Sequence, residues 1–534
     1  MVMYPSLDII LLGYSFIMKT LTSRWTRQRL WAGVLSGISL LSLSAHAATE
    51  DPLVVHTQAG EIQGKSLPYT RTWQGIPYAQ PPVGNLRWKA PQPVKHWQGI
   101  KTAMKFGASC MQTPPPKGPE AVLSQRPMSE DCLTLNIWQP KRRFEEHKYP
   151  VMVWIHGGAF RMGGTSLKLY DGAKLAQKGV LVVTLNYRLG PLSVFPHPAL
   201  DKEEHGKALN FGLLDQIAAL KWIKHNIAQF GGDPNNVTIW GESAGGASVG
   251  YLMTSPQTKG LFNKAIMESG ALALPEFTRQ QAVEGIQKQL PKTIAKMTPK
   301  QLRAIPAKQL LTLPLAKTTT MPIIDGVSLT EKTQVAMAKG DYQHVPLVIG
   351  SNSDEAGFFP PAWAASVKEK LGKLWPQAEQ LTDGYGTHSI KNKEFQLATD
   401  IFATMNTRRF ATSSVNAKQP TWRYYFSYVS PGDNRGFPGA IHTGEIPYVF
   451  GNIDQLPFQA VPEDKALANN MMERWVHFAK HGNPNPIAFG TWPQYNPQQK
   501  ETLWKIDVHG EQPINEPGKA RLDFLQQHPE VQLN

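Results

Sequence analysis

Asn236-Val237-Thr238-Ile239-Trp240-Gly241-Glu242-Ser243-Ala244-Gly245 is the stretch on which the fold of this 534-residue chain turns. Asn236 to Trp240 reads as a short buried strand. Gly241-x-Ser243-x-Gly245 follows at once, and Ala247 to Met253 reads as a helix. A serine on a sharp turn between strand and helix is the nucleophile-elbow pattern. Its two glycines let neighbouring backbone pass close to that turn. The pattern alone is weak; the strand before it and the helix after it give it meaning.

Working outward, Pro150 to Ile155 is an apolar run that enters His156-Gly157-Gly158-Ala159-Phe160. Gly179 to Tyr187 is a second run. Continuous apolar runs suit parallel strands covered on both faces. Leu213, Ile217, Leu220, Ile223 and Ile227 recur at helical spacing, and Phe230-Gly231-Gly232 ends that helix. Later strands are expected at Val345 to Ile349 and Thr421 to Val429. Val54 to Gly64 reads as a hairpin about Ala59-Gly60, and Trp73 to Trp97 as ordered loop. Strands alternating with helices predict an α/β fold: a large, mostly parallel central sheet flanked by helices, with a small N-terminal hairpin. In such sheets the active site forms at the C-terminal ends of the strands.

Apolar residues make up 41% of the chain and charged residues 18%, an ordinary globular balance. A chain this long buries a core without a metal or a disulfide framework. The net charge of +14 is scattered, as in Lys141-Arg142-Arg143 followed by Glu145-Glu146. A nucleic-acid binder would gather it into a stripe, so no nucleic-acid partner is expected. No His-Glu-x-x-His or clustered His/Cys pattern occurs, so neither metal nor organic cofactor is expected.

Residues 1–47 read as a signal peptide. Lys19, Arg24, Arg27 and Arg29 precede an apolar stretch from Leu30 to Leu43, and Ala45-His46-Ala47 supplies the cleavage pattern. The stretch is too short to span a bilayer comfortably. A second apolar run, Leu7 to Ile17, allows an uncleaved anchor instead, unless Met18 is the true start. Export makes the chain secreted or periplasmic, with 48–534 as one domain and no stable membrane insertion. The chain's 2 Cys, Cys110 and Cys132, would then meet an oxidising compartment, either paired or as free thiols.

A serine that attacks an acyl group needs a base to take its proton and an acid to orient that base. It also needs N–H groups aimed at the developing oxyanion. The glycines of His156-Gly157-Gly158-Ala159 expose such groups. Partners in this arrangement follow in the order serine, acid, histidine. Asp354-Glu355 offers the acid after a strand end. His442, in Gly439-Ala440-Ile441-His442-Thr443-Gly444, offers the base, with His388, His477 and His481 as rivals on order alone.

At this point the chain resembles the type-B carboxylesterases, the group of cholinesterases, several fungal lipases and bacterial para-nitrobenzyl esterases. The likeness runs from about Val54 to Trp504. Its blocks are Gly75-Ile76-Pro77-Tyr78-Ala79, Pro81-Pro82-Val83-Gly84, Ser129-Glu130-Asp131-Cys132-Leu133 and Asn186-Tyr187-Arg188-Leu189-Gly190. The longest extends from Gly212-Leu213-Leu214-Asp215-Gln216 through Phe230-Gly231-Gly232-Asp233-Pro234 to Gly241-Glu242-Ser243-Ala244-Gly245-Gly246. One departure is Ser193, where the family usually has Gly.

The resemblance implies the α/β-hydrolase fold and hydrolysis of small-molecule carboxylic esters through an acyl-enzyme on Ser243. It implies His442 as base and Glu355, rather than Asp354, as acid. Gly158, Ala159 and Ala244 would form the oxyanion hole, and Cys110 and Cys132 a disulfide. Glu242 and Ser269 match positions that support the site from nearby. Alternatives on the same scaffold are a non-catalytic adhesion protein, an amidase or a thioesterase. Between Cys110 and Cys132 there is no Trp, Tyr or Phe, which disfavours choline esters. That loop also lacks the long apolar face of a lipase lid. Short or medium acyl esters are expected.

Overall fold

In the computed structural model, residues 53–113, 127–141, 148–203, 209–313, 315, 321–382, 390–528 and 531 are described. The expected signal peptide, most of the segment between Cys110 and Cys132, and His388 lie outside them. Numbered along the chain, the first strands are β1 (Val54–Thr57), β2 (Gly60–Gln63), β3 (Lys65–Ser66), β4 (Thr70–Pro77), β5 (Ile100–Thr102), β6 (Ser109–Cys110), β7 (Met128–Ser129) and β8 (Thr134–Pro140). Those that follow are β9 (Tyr149–Ile155), β10 (Leu181–Leu185), β11 (Gly232–Glu242), β12 (Lys264–Glu268), β13 (Leu347–Asn352), β14 (Thr421–Phe426), β15 (Leu503–Asp507) and β16 (Gly510–Ile514).

Eleven strands make one sheet in the order β16-β15-β14-β13-β12-β11-β9-β10-β8-β4-β3. From β10 to β15 every neighbour pair is parallel, and antiparallel strands close both edges. This is the mostly parallel sheet that the apolar runs predict. The expected hairpin is β1 with β2, which β5 extends into a separate small sheet.

The runs at β9 and β10 are buried on both faces. Val151, Val153, Ile155, Leu181, Val183 and Leu185 pack into one core with the helix Phe211–Asn226. Met152, Trp154 and Val182 face the opposite core with Trp240, Ile266 and Trp475 of the helix Pro462–His481. Alternation by two residues thus fills both layers from the same strands.

Chain order places the site. The strand β10 lies on one side of β9, and β11 on the other. The connections therefore diverge at the C-terminal end of β9, which opens a crevice there. Ile155 and Gly241 sit side by side at that end, so the turn at His156 and the turn at Ser243 emerge together.

The structure revises several boundaries. Trp73–Trp97 is not all loop, because its first residues belong to β4. Gly75 and Pro77 look like breakers, but Gly75 falls in the register shift between Trp73 and Ile76, and Pro77 ends the strand opposite Thr134. Gly75 takes φ +75° there. The helix expected from Leu213 starts at Phe211 and gives way to a tighter turn, Ile227–Phe230, closed by Gly231 at φ 80°.

Several of the blocks that carry the resemblance are struts. Arg188 makes a buried two-pronged contact with Asp215, at 2.7 Å for both Nε and Nη2. The Tyr78 hydroxyl donates to Asn186 O at 2.6 Å. Arg87 grips Glu130 through Nε at 2.7 Å. Cys110 and Cys132 are joined in a disulfide across a separation of 22 residues.

Closing a loop of that length restricts the unfolded chain by about 3 kcal/mol. Cys132→Ser should therefore lower unfolding stability by about that amount, read as a lower urea midpoint, with a slope that rises because the unfolded chain is no longer cross-linked. A midpoint equal to wild type under oxidising conditions would show that the bridge contributes nothing.

Candidate active site

Ser243 links β11 directly to the helix Ala244–Thr254, at φ 57° and ψ −124°. A non-glycine residue holds such a conformation only where its surroundings over-determine it. Here they are backbone. The Ser243 N–H donates to Glu268 O at 3.0 Å, and its C=O accepts from the Ala247 N–H at 2.8 Å. A β-carbon on Gly245 would lie 1.9 Å from Ile155 O, and one on Gly241 2.6 Å from the same oxygen. Both glycines of the elbow are thus demanded by contact with β9.

His442 bridges two partners. Its Nδ1–H donates to Glu355 Oε2 at 2.5 Å, and its Nε2 accepts from the Ser243 hydroxyl at 2.7 Å. Glu355 opens a short turn just beyond β13, and its other oxygen accepts the Asn352 N–H at 2.7 Å. The Asn352 side chain donates to Ile441 O at 2.9 Å and to Glu445 at 2.6 Å, which ties the histidine loop to the same strand end.

Asp354 is not among the hydrogen-bond or ion-pair partners of His442. Its backbone bridges to the histidine loop through its N–H to Ala440 O at 2.8 Å. Its carboxyl turns toward Gly357, whose added β-carbon would meet Asp354 Oδ2 at 2.3 Å. Burial pushes that carboxyl up to about 7.

The turn at His156–Ala159 faces the serine. A β-carbon on Gly157 would lie 3.0 Å from Ser243 Cβ. Gly158 at φ 107° and Ala159 at φ 53° turn their N–H groups out of the local backbone pairing. Neither N–H meets a protein acceptor among the described residues. Ala244 is the first residue of its helix, so its N–H has no acceptor within the helix. His156 is a packing residue: it stacks on Tyr187 at 4.5 Å, and burial lowers it to about 4.

Burial alone would lower the imidazole of His442. The carboxylates of Glu242, Glu355 and Glu445 outweigh it and lift the ring to about 9. Glu242 Oε1 lies 3.2 Å from Nε2. Burial pushes Glu242's own carboxyl well above its ordinary range.

Three rings line the histidine: Phe358 at 5.6 Å, Phe359 at 5.8 Å and Phe402 at 6.2 Å between centroids. Sequence reading overlooks this wall, although Phe358-Phe359 follows Glu355 by only three residues. It also overlooks Asn352 and Glu445. Of the rival histidines, His477 bonds Asn483 O at 2.8 Å and lies against His481, in the helix Pro462–His481. Ser269 follows β12, and its N–H donates to Gly350 O at 3.0 Å.

This chain matches the carboxylesterase family over residues 51–525. It is 39% identical to the para-nitrobenzyl esterase of Bacillus subtilis over 482 residues, 84% of this chain and 94% of the relative. It is 35% identical to a fumonisin B1 esterase of Sphingopyxis macrogoltabida, covering 84% of this chain and 86% of the relative. A solved para-nitrobenzyl esterase superposes with a TM-score of 0.74 at 35% identity, covering 88% of this chain and 100% of that one. The central sheet, the crevice at the end of β9 and these likenesses agree, and the chain belongs to the carboxylesterase family, as a carboxylic ester hydrolase of the α/β-hydrolase fold.

Proposed function

We propose that Ser243 is the nucleophile, His442 the general base and Glu355 its orienting acid, acting on small-molecule carboxylic esters. The observation that carries this reading is the line of two hydrogen bonds from Glu355 through His442 to Ser243, at 2.5 and 2.7 Å. The Ser243 oxygen attacks the ester carbonyl as its proton passes to His442 Nε2. Gly158, Ala159 and Ala244 N–H groups receive the oxyanion. The imidazolium then hands its proton to the departing alcohol. Water repeats the sequence on the acyl-enzyme and returns free Ser243 with the acid product.

Glu355 holds the ring with Nδ1 protonated, which leaves Nε2 free to accept. The apolar rings of Phe358, Phe359 and Phe402 fit an acyl or alkyl chain of short to medium length. The absence of aromatic residues between Cys110 and Cys132 argues against choline esters. Export, with cleavage after Ala47, is supported by the leader pattern and by the disulfide. Among the described residues no helix is long and apolar enough to cross a membrane.

Ser243→Ala should lower kcat for p-nitrophenyl butyrate on the order of 10³-fold or more, leaving the circular dichroism spectrum unchanged. An organophosphate should label Ser243 stoichiometrically; a label on another serine would end the assignment.

Glu355→Gln should cost on the order of 10²-fold to 10⁴-fold in kcat, because the histidine loses its oriented tautomer. Asp354→Asn should stay within about threefold, since an Asp354 carboxyl at about 7 is already partly neutral. The reverse ranking would move the acid one residue back.

Only neutral His442 accepts the serine proton, so kcat/KM should rise with pH. Carboxylates raise the histidine, so the midpoint of that rise should lie at or above the ordinary 6.5. His442→Ala should flatten the limb. A midpoint well below 6.5 would show burial outweighing the carboxylates.

A further inference from the structure

Beside the serine lies a cavity of about 170 Å³ that the chemistry above does not use. Ala247 and Gly250 of the helix that starts after Ser243 form one wall. Leu272 and Glu276, beyond β12, form another, and Ile401 and Arg409 a third. It begins one helical turn from the nucleophile, since the Ala247 N–H is bonded to Ser243 O at 2.8 Å. Its second wall is pinned to the aromatic lining of His442: the Ala273 N–H donates to Phe402 O at 2.8 Å.

Two adjacent arginines on the helix Met405–Asn416 have opposite fates. Arg408 is saturated, with contacts to Glu501 at 2.6 and 2.9 Å and to Asp523 at 2.6 Å. Arg409 lines the cavity and has no carboxylate or carbonyl partner among the described residues. Glu276, the carboxyl among the lining residues, is occupied by Thr333: it accepts from the hydroxyl at 2.5 Å and from the N–H at 3.1 Å. Burial raises Glu276, which weakens its charge further. Lys332 at the rim adds a second cation. Among the described residues the cavity is therefore lined by more positive than negative charge.

Backbone register puts Arg409 there. A single π-helical turn, Asp400–Thr404, immediately precedes this helix. It inserts a residue and rotates all that follows by about 100°. Met405, Asn406, Arg409 and Phe410 then share the face that lines the cavity. Gly250 lies seven residues along the helix from Ser243, and an added β-carbon on it would lie 3.5 Å from Phe410 of the helix Met405–Asn416. At 1.5 Å per residue the Gly250 wall of the cavity lies roughly 10 Å from the nucleophile.

We propose that Arg409 is a specificity-determining residue, and that its cavity takes the anionic end of an ester substrate bearing a carboxylate several bonds from the scissile carbonyl. The proposal rests on Ser243 being the nucleophile. A guanidinium offers two parallel N–H donors to a carboxylate and stays charged at every working pH. Because the contact is made to a part of the substrate away from the reacting carbon, it adds binding energy in ground and transition state alike, so it acts on KM.

The test uses the full chain as wild type, Arg409→Gln and Arg409→Lys, with active sites counted by organophosphate titration. One substrate pair is the mono-p-nitrophenyl ester of suberic acid and its methyl-capped neutral counterpart. The other places the carboxylate on the alcohol side, as the butyrate ester of 6-hydroxyhexanoate against its methyl ester. Wild type should prefer the anionic member of one pair in kcat/KM, and the pair that shows it assigns the acyl or the alcohol side. Arg409→Gln should cut that preference at least tenfold through KM, Arg409→Lys should keep part of it, and 0.5 M salt should weaken it. Equal preference in wild type and Arg409→Gln, or no preference in either pair, overturns the anionic subsite. Turnover of neutral esters without organophosphate labelling at Ser243 instead overturns the nucleophile reading, and the subsite with it.

Discussion

A β-carbon on Gly245 would sit 1.9 Å from the carbonyl oxygen of Ile155, and much of the site depends on that contact. The helix after the serine rests backbone to backbone on the end of β9, so no side chain can be placed between them. This closeness holds Ser243 at φ 57° and aims its hydroxyl out of the sheet. It also brings Gly157 against the serine. A strained residue of this kind costs on the order of 1–3 kcal/mol. The sheet tolerates it because β9, β11 and β12 are buried on both faces and pair in register on either side of the elbow.

The second organising feature is a concentration of acid around one imidazole. Glu242, Glu268, Glu355 and Glu445 are all buried near His442. Four charged carboxylates could not share so small a volume. Burial resolves this by raising Glu242 and Glu268 well above the carboxylate range and Glu445 to about 7. Trp475 caps Glu268 through its ring N–H at 2.5 Å, and Asn352 caps Glu445. Glu355 differs from these: it accepts one backbone N–H and faces the imidazole directly.

What was legible in the sequence follows from where information is local. The elbow could be read because sterics confine its glycines to fixed offsets around Ser243. The central strands could be read because burial on two faces makes them uniformly apolar. The strand β12 was missed because Lys264 and Glu268 close it with charges, although both are buried. The start of β4 was missed because Gly75 and Pro77 imitate a loop, although Gly75 falls in a register shift of the strand and Pro77 ends it. Order alone could not choose between Asp354 and Glu355. The choice depends on how a turn after β13 directs two adjacent side chains, which resemblance supplied and spacing did not. Arg409 left no trace at all, because its position depends on one extra residue in a helix.

That extra residue is anchored from outside the site. Asp400, which opens the π turn, pairs with Arg521 in a fully buried contact. Arg408 reaches Asp523 of the same C-terminal helix, Lys519–Gln527, and Glu501 just before β15. Leu522 and Leu525 of that helix pack with Ile401 and Phe402 in one apolar cluster. The end of the chain therefore fixes the rotation of the helix Met405–Asn416, far along the sequence from the elbow. Ser243, His442, Glu355 and the His156 turn sit at the ends of β11, β14, β13 and β9, whose positions the sheet dictates. The wall of the adjoining cavity is set by two helices bolted together through Arg408 and Arg521. Side chains carried on such fixed elements are placed more closely than those on loops, so this wall can vary in charge and shape while the elbow stays as the sheet requires it.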